Sequence, residues 1–256
     1  MSDLPLAGLL RRERLIVLGG LLGVTLLAWF YLVWMAVMMP VIDLSAMQRP
    51  LWTGGYFLMM FTMWVVMMIG MMLPSVGHVV LMYARVVQRS GTPVHPILRT
   101  YLFILGYLLA WVGFSLAATL LHWLLDGAIL LSPQMRIQSP LLTAGILFVA
   151  GAYQFSPAKN ACLEHCRGPV DFLSRHWRKG LSGAVRMGFG HGLYCLGCCW
   201  VLMVLLFVGG VMNLLVIAAI TVFVLLEKLA PYGALAGRLS GAGLMVAAGL
   251  LAGSTL

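Results

Sequence analysis

An all-α, polytopic membrane fold is predicted by three features of this chain. Hydrophobic residues make up 62% and charged residues only 9%, where a soluble domain carries about a quarter charged residues. Several apolar stretches approach the ~20 residues that a helix needs to cross a bilayer. The basic residues gather at the ends of those stretches, as they do in proteins whose loops are sorted across a membrane.

The elements follow in order, about seven spans in all. The first covers 15–39 and stops at Pro40. The Arg11-Arg12-Glu13-Arg14 run in front of it resembles the start of a signal peptide. The apolar stretch is too long for a signal core and lacks a clear small-residue cleavage site, so we expect a permanent span. The second covers 55–84 and is expected to be interrupted at Pro74, which lacks a donor and crowds the preceding turn. The third covers 99–125 and the fourth 140–156. The fifth, sixth and seventh cover 184–208, 211–229 and 235–254. No internal repeat is evident and no soluble domain fits between the spans. Residues 1–256 therefore read as a single transmembrane helical domain, with a Cys/His-bearing loop at 157–186.

In that loop Phe172, Leu173, His176 and Trp177 recur opposite Arg175, Arg178 and Lys179. The pattern suits a short helix lying among lipid headgroups.

Orientation follows from charge. An odd number of spans puts the N-terminus and the segments 85–99, 157–186 and 227–238 on one side. They hold 14 of the 16 Lys and Arg, leaving Arg49 and Arg136 on the other. The expected arrangement has the N-terminus and the 157–186 loop in the cytoplasm and the C-terminus outside. A formal charge of +9 distributed this way is explained by the lipid bilayer, and no nucleic-acid partner is expected.

All five cysteines lie between Cys162 and Cys199. They form Cys162-Leu-Glu-His165-Cys166 and His191-Gly-Leu-Tyr-Cys195-Leu-Gly-Cys198-Cys199, both expected at the cytoplasmic face. Thiols there are kept reduced, which favours a metal site or a reactive thiol over a structural disulfide. On a helix, His191, Cys195 and Cys198 fall within about a 60° arc. Cys162 and Cys166, at i and i+4, would share a face if helical. Joined, the two groups would offer a trigonal or tetrahedral sulfur-rich site with imidazole nearby. Cys199 and His165 rank last, because a buried small residue and a solvated loop histidine explain them equally well.

Gly183, Gly188, Gly190, Gly192 and Gly197 crowd the start of the fifth span, which fits either close helix packing or irregular backbone beside a site. There are 18 methionines, and Met59, Met63, Met67 and Met71 repeat every fourth residue. Thioethers are soft, exchangeable ligands for Cu(I); methionine also packs irregular interiors. His78, beyond Pro74, matches His191 in depth, and an intramembrane histidine is a functional candidate. Glu227 is placed either to orient a ligating imidazole or to sit near Arg186. At the outer side Asp43, Met47, His122 and Asp126 suggest a weak uptake site, though interfacial solvation also accounts for them. Phosphate-binding loops, an HExxH helix and a Ser-His-Asp arrangement are all missing.

Trp34 with Val37-Met38-Met39-Pro40, Trp64 with Met67-Met68 and Met71-Met72-Leu73-Pro74, and Cys162-Leu-x-x-Cys166-Arg-x-Pro169 follow one pattern. So do Gly190-His191-Gly-Leu-Tyr-Cys195-Leu-Gly-Cys198-Cys199-Trp200 and the later Glu227-Lys228. Together, over about 30–254, they resemble a bacterial family of predicted metal-binding integral membrane proteins, a domain of unknown function. The resemblance implies a metal site and supplies no established reaction.

The expected function is Cu(I) handling in the bacterial cytoplasmic membrane, as transport, delivery or insertion. The expected ligands are Cys162, Cys166, His191, Cys195, Cys198, His78, Met67 and Met71, with zinc as the alternative metal. A membrane or soluble metal-handling protein is the expected partner. Two other readings are a membrane metalloenzyme or redox protein, and an accessory subunit whose metal site only staples two spans.

Overall fold

The computed structural model describes residues 4–43, 52–89, 96–132 and 135–254, without the side chains of 4–13 and 39–43. Helices carry nearly all of it: α1 (Leu4–Asp43), α2 (Gly54–Arg89), α3 (Pro96–Gly127), α4 (Pro140–Gln154), α5 (Pro157–Arg167), α6 (Pro169–His176), α7 (Gly180–Val204), α8 (Leu206–Gly209), α9 (Leu214–Leu229) and α10 (Gly233–Gly253). Five stretches are long and apolar enough to cross a membrane, namely 14–38, 54–88, 96–127, 180–209 and 233–253. A sixth arises if α4 and α5, bent by 62°, count as one broken span. α9, at 16 residues, falls short of the usual length.

α2 and α7 are the central helices and α1 and α10 the peripheral ones. Over their most apolar windows 56% and 50% of α2 and α7 are buried, against 22% and 17% of α1 and α10. The exposed side chains of the outer helices are largely Leu, Val and Phe, among them Leu26, Leu27, Phe30, Leu239 and Leu250. An apolar exterior of this kind is what lipid tails solvate.

Pro74 does not interrupt the second span; α2 runs unbroken through it. Proline deprives the carbonyl four residues earlier, that of Gly70, of its helical donor. Trp29 of α1 supplies the substitute, its Nε1 donating to Gly70 O at 3.2 Å. Two residues on, Met72 O accepts from both Ser75 Oγ (2.8 Å) and Tyr107 Oη (3.2 Å). Neighbouring helices thus hold together a segment that proline weakens. α1 likewise continues past Pro40 to Asp43, where a lost bond falls in the last turn.

The 157–186 segment is not a loop. Ser156 caps α5, accepting from Ala158 N, and Pro157 stands at its first position. The pair repeats the start of α4, where Ser139 accepts from Leu142 N ahead of Pro140. A capping serine before a proline with preset φ is an efficient helix start. α5 then lies against α7 and carries both Cys162 and Cys166. α6 matches the short amphipathic helix expected near 172–177, yet Phe172 and Leu173 are buried in the protein.

The closest helix contact is α3 on α7. A Cβ at Gly188 would stand 1.9 Å from Phe103 O, and one at Gly106 would stand 2.1 Å from Val185 O. The backbones can approach this far because one residue of each contact is a glycine without a Cβ, the small-residue packing common between membrane helices. The contact presses the 191–199 face of α7 inward.

Candidate functional site

The thiol cluster forms where α2, α3, α5, α7 and α9 converge. Cys166, Cys195, Cys198 and Cys199 are buried and free of disulfides; Cys162, also free, is half-buried. Cys166 Sγ lies 3.9 Å from Cys198 Sγ. Cys195 Sγ interacts with the sulfurs of Cys166, Cys198 and Cys199. The Cys198 and Cys199 thiols also donate to Cys195 O, at 3.0 and 2.9 Å, which turns them along the helix. Among the described residues no group of three or more His, Cys, Asp or Glu side chains is arranged to hold a metal. The trigonal or tetrahedral arrangement expected from the spacing is therefore absent there. What the cluster does offer is a pair of sulfurs. An ion about 2.3 Å from each of two thiolates, the zinc–sulfur length, leaves them at most about 4.6 Å apart, and 3.9 Å falls inside that limit.

Cys195 has two further neighbours. Tyr107 Oη lies 3.0 Å from its sulfur, and Lys228 Nζ donates to it at 2.9 Å and to Ser75 Oγ at 3.1 Å. Lys228 is buried. Ser75, Lys228 and Tyr107 join the site only through the fold, none of them standing in the Cys/His motifs. The available signal was the Glu227-Lys228 pair closing an otherwise apolar stretch, since ionisable residues at membrane depth are rare and functional.

Both histidines stand at the rim of the cluster. His191 is buried on the cluster face of α7, its ring packed edge-on against Phe172 at 4.9 Å and its Nδ1 without a partner. It is within electrostatic reach of Cys195, Lys228 and His78. His78 Nε2 is 3.0 Å from Cys166 O, and its Nδ1 is also unpartnered. Buried ring nitrogens without partners need an explanation, and a soft ion arriving beside them would provide one.

Cys162 lies apart from the other four, against Gly197, where a Cβ would stand 2.6 Å from its sulfur. It lines a cavity of about 820 Å³ with Phe172, His176, Arg186, Met187 and Tyr194. His165 stacks on Tyr194 at 4.2 Å, outside the cluster.

Met67 and Met71 are fully buried in the core with Met60, Met63, Met68 and Met72, whereas Met59, the first of the four-residue repeat, is exposed. Tyr107 of α3 bridges the backbone of α2 and the cluster, touching both Met72 O and Cys195 Sγ. At the opposite end, His122 is buried with Nδ1 unpartnered and packs edge-on against Trp52 and Phe207. Asp126 accepts from Trp52 Nε1 at 2.7 Å. Met47 and the Asp43 side chain lie outside the described residues.

Among the described residues Glu227 orients no imidazole. It is buried and paired with Lys159 of α5, whose Nζ also donates to Gln154 Oε1. Lys159, Lys228 and Arg99 entered the charge count as loop residues, and all three are buried within helices. They contribute to the interior as well as to the asymmetry between faces.

Residues 61–251 match the family model PpoB2, described as a copper chaperone. The match covers most of the chain, which belongs to that family. No curated protein and no solved structure matches it.

Proposed function

We propose that this member of the copper chaperone family handles Cu(I) at a membrane, taking it up at the α5–α7 thiols and passing it toward the methionine face of α2. The supporting observation is the buried pair Cys166 and Cys198, 3.9 Å apart, with Cys195 alongside and the thioethers of Met67 and Met71 buried on α2. A two-sulfur clasp suits Cu(I), which thiolate and thioether ligands select over harder ions. Zinc is disfavoured, because a structural zinc site has four closed ligands.

The route begins at Cys162, whose half-exposed thiol opens onto the large cavity. A donor protein or small thiol carrier presents the ion there. Ligand exchange moves it to Cys166 and Cys198, with His78 and His191 beside the cluster as transient nitrogen donors. Met71, Met67 and Met63 continue along the interior of α2, and His122 stands at the far end. Each exchange forms one metal–donor bond as another breaks, so the ion is never left bare in a low-dielectric interior. We further infer seven crossings in a bacterial cytoplasmic membrane, α4–α5 and α9 each counted once. The N-terminus and the cysteine cluster would face the cytoplasm and the C-terminus the outside.

Purified protein in detergent, reduced and titrated with Cu(I) against a competing chelator, tests the proposal. The Cys166→Ser/Cys198→Ser double variant should lose the bound equivalent that the wild type retains. Equal copper content in the two proteins sinks the assignment.

The 820 Å³ cavity beside Cys162 favours one other reading, a redox protein using a reversible dithiol. Reduction of a small disulfide substrate by metal-free protein, with an added thiol reductant returning the protein disulfide to the dithiol, would establish it instead.

A further inference from the structure

The buried ammonium of Lys228 is not used by the route just described. Burying a lysine in a membrane interior is costly, and such residues are normally offset by a paired carboxylate. Lys159, on the neighbouring helix, follows that rule through Glu227. Lys228 does not, since among the described residues no carboxylate lies within ion-pair distance of it. Its hydrogen bonds go to Cys195 Sγ and Ser75 Oγ. The two buried lysines thus have opposite accounts: Lys159 is neutralised by Glu227, and Lys228, the next residue along α9, is left facing sulfur.

We propose that Lys228 sets the valence of the ion the cluster accepts, acting as a fixed positive charge that admits monovalent Cu(I) and disfavours divalent cations. Two thiolates around Cu(I) carry one net negative charge. With Cys195 a neutral thiol, the one ammonium beside the Cys166/Cys198 clasp makes the assembly neutral, which a low-dielectric interior favours. Two thiolates around a divalent ion are already neutral, so the same ammonium leaves an uncompensated positive charge. The discrimination comes from the extra unit of repulsion and needs no change in ligand number. Two unit charges about 5 Å apart at an effective dielectric of about 20 shift an equilibrium by roughly two orders of magnitude.

This inference rests on copper binding at the cysteine cluster, and its test separates the two. Dissociation constants for Cu(I) and for Zn(II) are measured by chelator competition on full-length protein in detergent. The comparison is among the wild type, Lys228→Met and Lys228→Arg, with Lys228→Gln as a second neutral variant should the methionine form fail to purify. The preference for Cu(I) over Zn(II) should fall at least tenfold in the neutral variants and be kept by Lys228→Arg. A wild type that binds Cu(I) while the neutral variants show the same ratio overturns the valence role alone. A wild type that binds no Cu(I) overturns both.

Discussion

Removing the Glu227 carboxylate is the most direct test of how the site is held together. Lys159 and Glu227 are both buried, and they join α5, which carries Cys166, to α9, which carries Lys228. Gly237 of α10 seals the pair, since a Cβ there would stand 2.4 Å from Glu227 Oε1. With Glu227→Ala the Lys159 ammonium keeps only the Gln154 amide oxygen. Leaving one member of a buried ion pair uncompensated costs roughly 3–5 kcal/mol. For a chain of this size each kcal/mol moves Tm by about 2–4 °C, so the drop should be roughly 6–20 °C. The assay is thermal unfolding in detergent, followed by the near-ultraviolet signal of the buried tryptophans. Removing both charges in Lys159→Met/Glu227→Met should restore most of the loss, because two methionines match the volume and leave nothing to solvate. The single variant should also bind Cu(I) more weakly, as α5 loses its tie to α9. A Tm change under about 2 °C for Glu227→Ala would refute the reasoning, and so would a double variant no better than the single.

Two other perturbations separate packing from passage. Met67→Leu/Met71→Leu keeps core volume and should cost less than about 1.5 kcal/mol per site, while copper movement across proteoliposomes should fall severalfold. Unchanged flux in those vesicles would make the stripe a packing feature. Gly188→Leu should part α3 from α7, because even a Cβ would stand 1.9 Å from Phe103 O. Lower Tm and loss of bound copper together are the expected outcome, and retention of both would contradict the contact.

Much of the arrangement was legible from pattern. Apolar segments located the helices, and the i, i+4 spacing of His191 and Cys195 placed them on one face of α7. The Ser156-Pro157 start of α5 was also legible, being a capping serine before a proline, but the charged Lys159, Glu164 and Arg167 disguised it as a loop. Pro74 misled in the other direction. Its helix-breaking tendency is local, and the remedy is Trp29, 41 positions away in sequence at Gly70 O. Positive charge carried no depth information, for a count of Lys and Arg cannot separate Arg175 at the surface from Lys159 inside.

The sequence by itself determined the solvent. A chain 62% hydrophobic and 9% charged must satisfy its backbone internally, and helices are how this one does so. It also determined which residues have the softness to meet copper, since that chemistry belongs to sulfur and imidazole wherever they stand. Tertiary structure decided which of those residues meet. Cys166 reaches Cys198, Cys162 turns to a cavity, and the thiols of Cys198 and Cys199 bend back to their own helix. It also decided that Lys159 is answered by Glu227 while Lys228 faces Cys195. The physical reason is range. Hydrophobicity and helical periodicity act within a few turns of chain, whereas a charge in a low-dielectric interior is defined by whatever the fold brings within a few ångströms.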